Sequence, residues 1–462
     1  MSKEFLAELH QICSEGAVEV ACPENVHYGQ DITTNQKYCF DYLVKPSDER
    51  EISEIIKACY RHNVPITPRG GGSGVSGGAI PVKKGLVLST EKLNKIIEID
   101  PLNKIAIAES GVITDYFCEQ IEKEGLCFPV KPSSSYMSFI GGNVALNSGS
   151  INSLKYGSTS DYVINLQVVL PNGEIIWTGA NTSKNSTGFN LTQLLVGSEG
   201  TLGIITKIVF KLISKPQFEY SLSVRFAGME QLCKSIFSIS QSDLAPCAME
   251  LIDEYSARLT SEFLQTKSTD FSSSDKPQLI VSFDGNDSEL LERDLEKCYY
   301  LIQEYSSEEV FVAKNAAEKK KIWEIRMNIG EALTQGNKVY RDIDIAIPVS
   351  KLFDYIIEVK RISKLFDVQI ACFGHAGNGN LHTMVALEKL EDLANMQTSK
   401  AIEAIYRLGI KLGGTISGEH GVGLLQKEFM RHQFSSAHLK LIADIKRVFD
   451  PKNLINPGKI IN

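Results

Sequence analysis

The stretch Pro68 to Gly78, PRGGGSGVSGG, constrains this chain more than any other, because six of its eleven residues are glycine. Glycine has no Cβ and tolerates positive φ, so consecutive glycines can turn their N–H groups into one concavity that holds anionic oxygens. Arg69 is expected to add a fixed charge at the lip. Two better-known phosphate loops are excluded. A Walker loop ends in Gly-Lys-Ser/Thr, and no lysine occurs here until Lys83. Gly72 to Gly77 matches G-x-G-x-x-G, but a dinucleotide fingerprint needs a helix to begin inside it, and Gly78 and Pro81 follow at once. The bland alternative is a flexible surface loop.

With 462 residues the chain can build two or three domains. A net charge of −8 and a pI near 5.7 argue against a nucleic-acid surface. No run of eighteen apolar residues and no charged-then-apolar leader is visible, so the sequence reads as cytoplasmic, with peripheral association to a membrane partner left open. The ten cysteines (13, 22, 39, 59, 118, 127, 233, 247, 298 and 372) are never closer than nine residues. That spacing contains no C-x-x-C pair for zinc or an iron–sulfur cluster, and it predicts mostly buried thiols in a reducing compartment.

Along the chain, Lys3 to Cys13 is amphipathic and the rest of the first forty residues is uninformative. Ser47 is expected to cap a helix carrying Ile52, Ile55, Ile56 and Cys59 at helical spacing and ending near Asn63, after which Val64 to Thr67 enters the glycine loop as a strand. Gly85–Ser89, Ile105–Glu109, Tyr162–Leu170, Glu174–Thr178 and Ile204–Leu212 read as strands, and Pro171-Asn172-Gly173 as a hairpin turn. Thr114–Glu124 reads as a helix. Two further Gly-rich stretches are Lys131–Ser150 and Val196–Gly203. These clusters stop near Lys215-Pro216, where a domain boundary is expected; beyond it, alternating strands and helices predict an antiparallel sheet backed by helices.

The second chemical centre is Val368–Val385, VQIACFGHAGNGNLHTMV, whose two apolar halves flank a glycine-rich turn and so predict a hairpin bringing His375 and His382 close. SGEHGVG at Ser417–Gly423 adds Glu419 and His420. Two histidines and a carboxylate form a facial ligand set suited to zinc, manganese or iron, leaving His420 as a base. The competing reading makes both histidines hydrogen-bonded turn and core residues with no metal. His10, His27, His62, His432 and His438 have no such neighbours in sequence.

Six motifs in order, PRGGGSGVSGG, IGGNVALNSGS with KYG at 155–157, GSEGTLGIIT, GHAGNGNLH, SGEHGVG and the terminal NPGK at 456–459, make the chain resemble a known family from about residue 40 onward. It is similar to the FAD-linked 2-hydroxy-acid dehydrogenases of the vanillyl-alcohol-oxidase superfamily, in the group of D-lactate dehydrogenase, D-2-hydroxyglutarate dehydrogenase and the D-subunit of glycolate oxidase. The resemblance implies an α+β fold: a PCMH-type FAD-binding domain of two α+β subdomains, with an antiparallel-sheet cap that holds substrate. The implied division is an N-terminal segment 1–40, the FAD domain 41–215, a cap 216–425 with the metal site, and a C-terminal segment 426–462 returning to the FAD domain.

By the same resemblance Arg69, Gly70, Gly71, Gly72, Ser73, Gly74, Ser76 and Gly77 wrap the FAD pyrophosphate. Pro132, Ser133, Gly141, Gly142, Asn143, Asn147 and Gly149 line the cofactor, Glu199, Gly200 and Ile205 face its adenosine end, and Asn456 closes the pocket. His375, His382 and Glu419 correspond to metal ligands, His420 to the catalytic base and Arg326 to the partner of the substrate carboxylate. Ser73 stands where covalently flavinylated relatives carry histidine, which implies non-covalent FAD. Ser150 replaces a glycine of the family pattern, and Arg341-Asp342 stands where relatives acting on 2-hydroxyglutarate place a lysine. The implied reaction oxidises a D-2-hydroxy acid, D-lactate or glycolate before D-2-hydroxyglutarate, to the 2-oxo acid. Electrons pass to an external iron–sulfur subunit, electron-transfer flavoprotein, quinone or cytochrome. A redox-neutral or non-catalytic flavoprotein of the superfamily is the alternative.

Overall fold

The computed structural model describes residues 3–33, 37–267, 274–306, 308–335 and 338–461. The chain forms two compact units, one of residues 1–150, 157–215 and 419–462, the other of 151–156 and 216–418.

In the first unit a helix at Glu49–His62 links two strands of one parallel set. Asp48, not Ser47, caps it, because the Asp48 carboxylate accepts from the amides of Arg50 and Glu51 and so satisfies two donors of the first turn. Ile52, Ile55, Ile56 and Cys59 fall on one face at helical spacing and are fully buried, against Phe5 and Leu9 of the helix Lys3–Ile12 and against Ile455. Asn63 stops the helix in the left-handed region, φ 53°. Strands Tyr42–Val44 and Ile66–Arg69 both pair parallel with Leu86–Ser89, and Val18–Val20 adds an antiparallel edge. The strand Ile66–Arg69 delivers the chain directly into the glycine loop.

A second sheet of this unit is wholly antiparallel, in the order Ile96–Asp100, Ile105–Glu109, Ile204–Lys211, Val163–Val169, Ile175–Trp177. The last pair turns at Pro171-Asn172-Gly173. Part of the stretch Lys131–Ser150 is helical, over Ile140–Leu146, in spite of Gly141 and Gly142. Burial of Ile140 and Val144 overrides the weak local propensity.

The second unit holds one seven-stranded sheet with every pairing antiparallel. Its order is Val310–Ala313, Phe218–Arg225, Gln278–Gly285, Ala248–Ile252, Gln369–His375, Asn380–Leu387, Val339–Ala346. Helices Glu254–Gln265 and Ala316–Leu333 cover one face, burying Phe263, Trp323 and Ile329 against Ile280, Phe373 and Met384. This unit differs in two places from the cap outlined from sequence. It takes in Ile151–Tyr156, because Lys155 Nζ and Tyr156 Oη both bind the Asp284 carboxylate at 2.7 Å. It ends at Gly418 rather than at 425, because the amides of Val422 and Gly423 are bound by Glu199 of the first unit.

Candidate active site

The glycine loop is a backbone surface braced from below. Gly71 approaches the chain so closely that a Cβ there would lie 2.1 Å from the Met137 carbonyl oxygen, and Gly72 sits at φ +71°. The segment Asp31–Thr33 supports the loop. Ile32 N–H donates to the Gly74 carbonyl at 3.1 Å, and Gly77 N–H donates to Thr33 Oγ1 at 2.7 Å. Among the described residues the amides of Gly71, Gly72, Ser73 and Gly74 have no acceptor, and the buried Ser76 Oγ has no partner. Such a set of unused donors fits a phosphate-bearing cofactor. No helix begins within this segment, which removes the dinucleotide reading of Gly72–Gly77.

Arg69 is not at the lip. It is 8 % exposed, donates from its guanidinium to the Gln30 carbonyl at 2.6 Å and lies over the Tyr28 ring. Its charge offsets part of the burial that pushes the Asp31 carboxyl up. Its place is behind the loop, because a side chain leaving a buried strand position is directed into the core.

The other expected cofactor residues differ in what their side chains still offer. Asn143 is buried and donates to Thr114 Oγ1 at 2.8 Å, while Asn147, at φ 54°, accepts from Ser158 Oγ and from Ser160 N–H. Both amides therefore hold the backbone of the second glycine-rich stretch in place. Pro132 is half-buried, Ser133 exposed, and Gly149 and Ile205 buried. Glu199, 6 % exposed and at φ 52°, spends both carboxylate oxygens on the amides of Val422 and Gly423, so only its backbone and Gly200 remain for a ligand. Asn456 Nδ2 donates to the carbonyls of Gly78 and Glu199, tying the C-terminal NPGK to two of the glycine-rich segments.

The histidine hairpin forms as its sequence predicts, over Gln369–His375 and Asn380–Leu387, with Phe373 opposite His382 and His375 opposite Asn380. Paired residues share a face and side chains alternate, so Glu250, His375, Phe373, Asn380, His382 and Asp344 project from one face of the sheet. The two imidazole centroids are 5.5 Å apart. His375 Nδ1 lies 2.5 Å from Glu250 Oε1, and Arg326 Nε donates to Glu250 Oε2 at 2.7 Å. Arg326 is thus a half-buried charge stacked on Phe373, 4.8 Å from the ring centre.

Glu250 is fully buried. Burial pushes its carboxyl up, but the charges and hydrogen bonds of His375 and Arg326 outweigh that and hold it below the ordinary glutamate range. A carboxylate only accepts, so His375 carries its hydrogen on Nδ1, and in the neutral ring Nε2 is the electron-pair donor. That tautomer is the one a metal-ligating histidine needs, and its carboxylate support is the usual second partner. Asp342 Oδ2 lies 3.8 Å from His382 Nδ1, the distance of a loose ion pair.

His375, His382 and Arg326 belong to the second unit, Glu419 and His420 to the first. Glu419 follows Gly418, whose N–H donates to Asp344 Oδ2 at 2.8 Å, and its carboxylate stands 3.9 Å from His420 Nε2. Sequence reasoning missed Glu250, Asp344 and the brace Gln30–Thr33. Glu250 left one legible signal, a single acid inside the otherwise apolar AMELI, all five residues of which are buried.

Comparison with known proteins agrees with this layout. Residues 40–179 match the FAD binding domain family and residues 215–460 the FAD linked oxidases, C-terminal domain. The chain is 34 % identical over 454 residues to the glycolate oxidase subunit GlcD of Bacillus subtilis, covering 96 % of each. It is 33 % identical to a D-lactate dehydrogenase of Anaerostipes hadrus, covering 91 % of this chain and 89 % of that one. Among solved structures, p-cresol methylhydroxylase superposes with a TM-score of 0.78 at 15 % identity, over 99 % of this chain and 96 % of that one. That neighbour supports the PCMH-type α+β fold. The chain belongs to the FAD-linked oxidases, as an oxidoreductase of the group that contains GlcD and D-lactate dehydrogenase.

Proposed function

We propose that this protein oxidises a D-2-hydroxy acid, D-lactate or glycolate, to the 2-oxo acid, with non-covalent FAD and a divalent metal, zinc, manganese or iron, held by His375, His382 and Glu419. The observation that carries the reading is the Glu250–His375 pair, which fixes one imidazole in the tautomer that presents Nε2. When bound, FAD accepts the hydride and the metal polarises the substrate hydroxyl.

The chain's own residues do the rest. His420 takes the hydroxyl proton. Arg326, fixed through Nε by Glu250, presents the remainder of its guanidinium to the substrate carboxylate. Asp342 beside His382 favours a monocarboxylate, because a second carboxylate on the substrate would meet like charge there. Ser73, with no ring nitrogen to attack flavin, keeps FAD non-covalent. The name of the B. subtilis relative, a glycolate oxidase subunit, favours an acceptor on a separate protein: an iron–sulfur subunit, an electron-transfer flavoprotein, a quinone or a cytochrome. No helix among the described residues is long and apolar enough to cross a membrane.

The test is an anaerobic visible spectrum of the metal-replete protein before and after D-lactate, glycolate, D-2-hydroxyglutarate or L-lactate. Bleaching of the flavin band by D-lactate or glycolate, lost on chelation, is expected. A yellow protein that none of the four bleaches contradicts the assignment.

A further inference from the structure

We infer that Asp344 and Glu199 are positioning residues that clamp the turn Ser417–Gly423 at its two ends and thereby hold the backbone of Glu419 and His420 in one conformation. The inference rests on the proposed function above.

At the N-terminal end, Asp344 is fully buried. Its Oδ1 accepts from Asn380 Nδ2 at 2.6 Å, and its Oδ2 from Ser417 Oγ at 3.0 Å and from the Gly418 amide at 2.8 Å. The same strand holds the approach to the turn, since Thr415 N–H donates to the Ala346 carbonyl at 2.8 Å. Asn380 sits beside His375 in the hairpin register, and Asp344 sits beside His382. One carboxylate thus ties the start of the turn to the strand pair that carries both histidines.

At the C-terminal end, within the other unit, Glu199 Oε1 accepts from the Val422 amide at 2.6 Å and Oε2 from the Gly423 amide at 2.7 Å. Glu199 is itself held: its N–H donates to the Ala145 carbonyl at 2.8 Å, and its carbonyl accepts from Asn456 Nδ2. Leu424 N–H continues the attachment to the Ser76 carbonyl, at 2.9 Å, in the glycine loop. Along the chain, Glu419 and His420 follow directly on the Gly418 amide bound by Asp344 and precede the Val422 amide bound by Glu199. Glycine-bounded turns have many conformations, and charge-assisted bonds at both ends select one.

The test uses the FAD-loaded full chain with Glu199→Gln, Asp344→Asn, Glu419→Gln and His375→Ala beside the natural sequence. Equilibrium dialysis against Zn²⁺ or Mn²⁺ is read together with kcat, KM and bound flavin. Each of Glu199→Gln and Asp344→Asn is expected to weaken metal affinity and kcat about 10- to 100-fold, the range for a residue supporting a ligand, with bound flavin unchanged in Asp344→Asn. Ser417→Ala removes a single hydroxyl from the Asp344 end and is the variant to read should a carboxylate substitution fail to fold; about threefold to tenfold weaker metal binding is expected.

Wild-type metal affinity and kcat in the clamp variants, with metal lost in His375→Ala and Glu419→Gln, overturn the inference and leave the proposed function standing. A natural protein that binds neither metal, and whose activity survives His375→Ala, overturns the proposed function and the inference with it.

Discussion

The glycine loop at Pro68–Gly78 and the histidine hairpin at Gln369–Leu387 are both ligand-facing turns, yet they are built by opposite means. The loop offers backbone: its donors are main-chain amides, and its side chains, Arg69 foremost, turn inward to support it. The hairpin offers side chains: its backbone is spent on ladder bonds, and its chemistry lies in a charge chain from the half-buried Arg326 through the buried Glu250 to His375. A backbone surface tolerates almost no change in shape, whereas a side-chain network tolerates changes of shape but not of charge. Substitutions should therefore separate flavin retention from turnover.

The sharpest separation is expected from His420→Ala. Loss of a general base costs about 10²- to 10⁴-fold in kcat, while flavin content stays that of the natural protein. A flavin-free His420→Ala protein breaks the comparison. Next comes Glu250→Gln, which keeps shape and removes the charge between His375 and Arg326. Turnover and metal affinity should fall about 10- to 100-fold, with flavin retained and the melting temperature lowered, because the half-buried Arg326 is left without its counter-charge.

Gly71→Ala acts on the other region. The added Cβ must displace the Met137 carbonyl from 2.1 Å, a strain of about 1–3 kcal/mol, so the ratio of flavin to protein on purification should drop while the hairpin keeps its metal affinity. Equal loss of flavin and metal would show that the two regions are one.

How much of each region is legible in the sequence follows from the same contrast. A backbone site announces itself locally, because its conformation requires consecutive glycines, and six in eleven residues can be read without any partner. A side-chain network does not. Glu250 meets Arg326 and His375 across separations of 76 and 125 residues, and one glutamate in a strand carries no mark of that pairing. The hairpin itself was legible, because alternation and the Gly374–Gly379 turn are local signals.

Misreadings had the same origin. Ser47 and Asp48 are both good caps and differ only in which one faces the free amides. The helix Ile140–Leu146 was hidden by Gly141 and Gly142, whose weak propensity is outweighed by the burial of Ile140 and Val144. The brace at Asp31–Thr33 has no pattern of its own, and its bonds to Gly74 and Gly77 are fixed only by the fold.

The smallest effect concerns a buried carboxylate that touches the hairpin only at the backbone of Cys372. Asp253 caps the helix Glu254–Gln265, accepting from the amides of Ser256 and Cys372, and burial pushes its carboxyl up to about 6, with the Glu254 charge adding to the rise. A folded-state pKa above the unfolded value near 3.9 means the folded chain binds the extra proton, so this group's contribution falls as pH rises from about 4 to about 6 and is level above that. Against Asp253→Asn, the natural protein should lose at most about 3 kcal/mol of relative stability across that window, read by denaturation at several pH values, with flavin content unaffected.

The most direct test of the central claim is the anaerobic spectrum of the double variant His375→Ala, His382→Ala beside the natural protein, each challenged with D-lactate and glycolate. The account predicts a yellow variant with a full complement of FAD that neither acid bleaches, next to a natural protein bleached by one of them. A variant bleached at the natural rate would contradict it, because the chemistry would then lie outside the histidine hairpin.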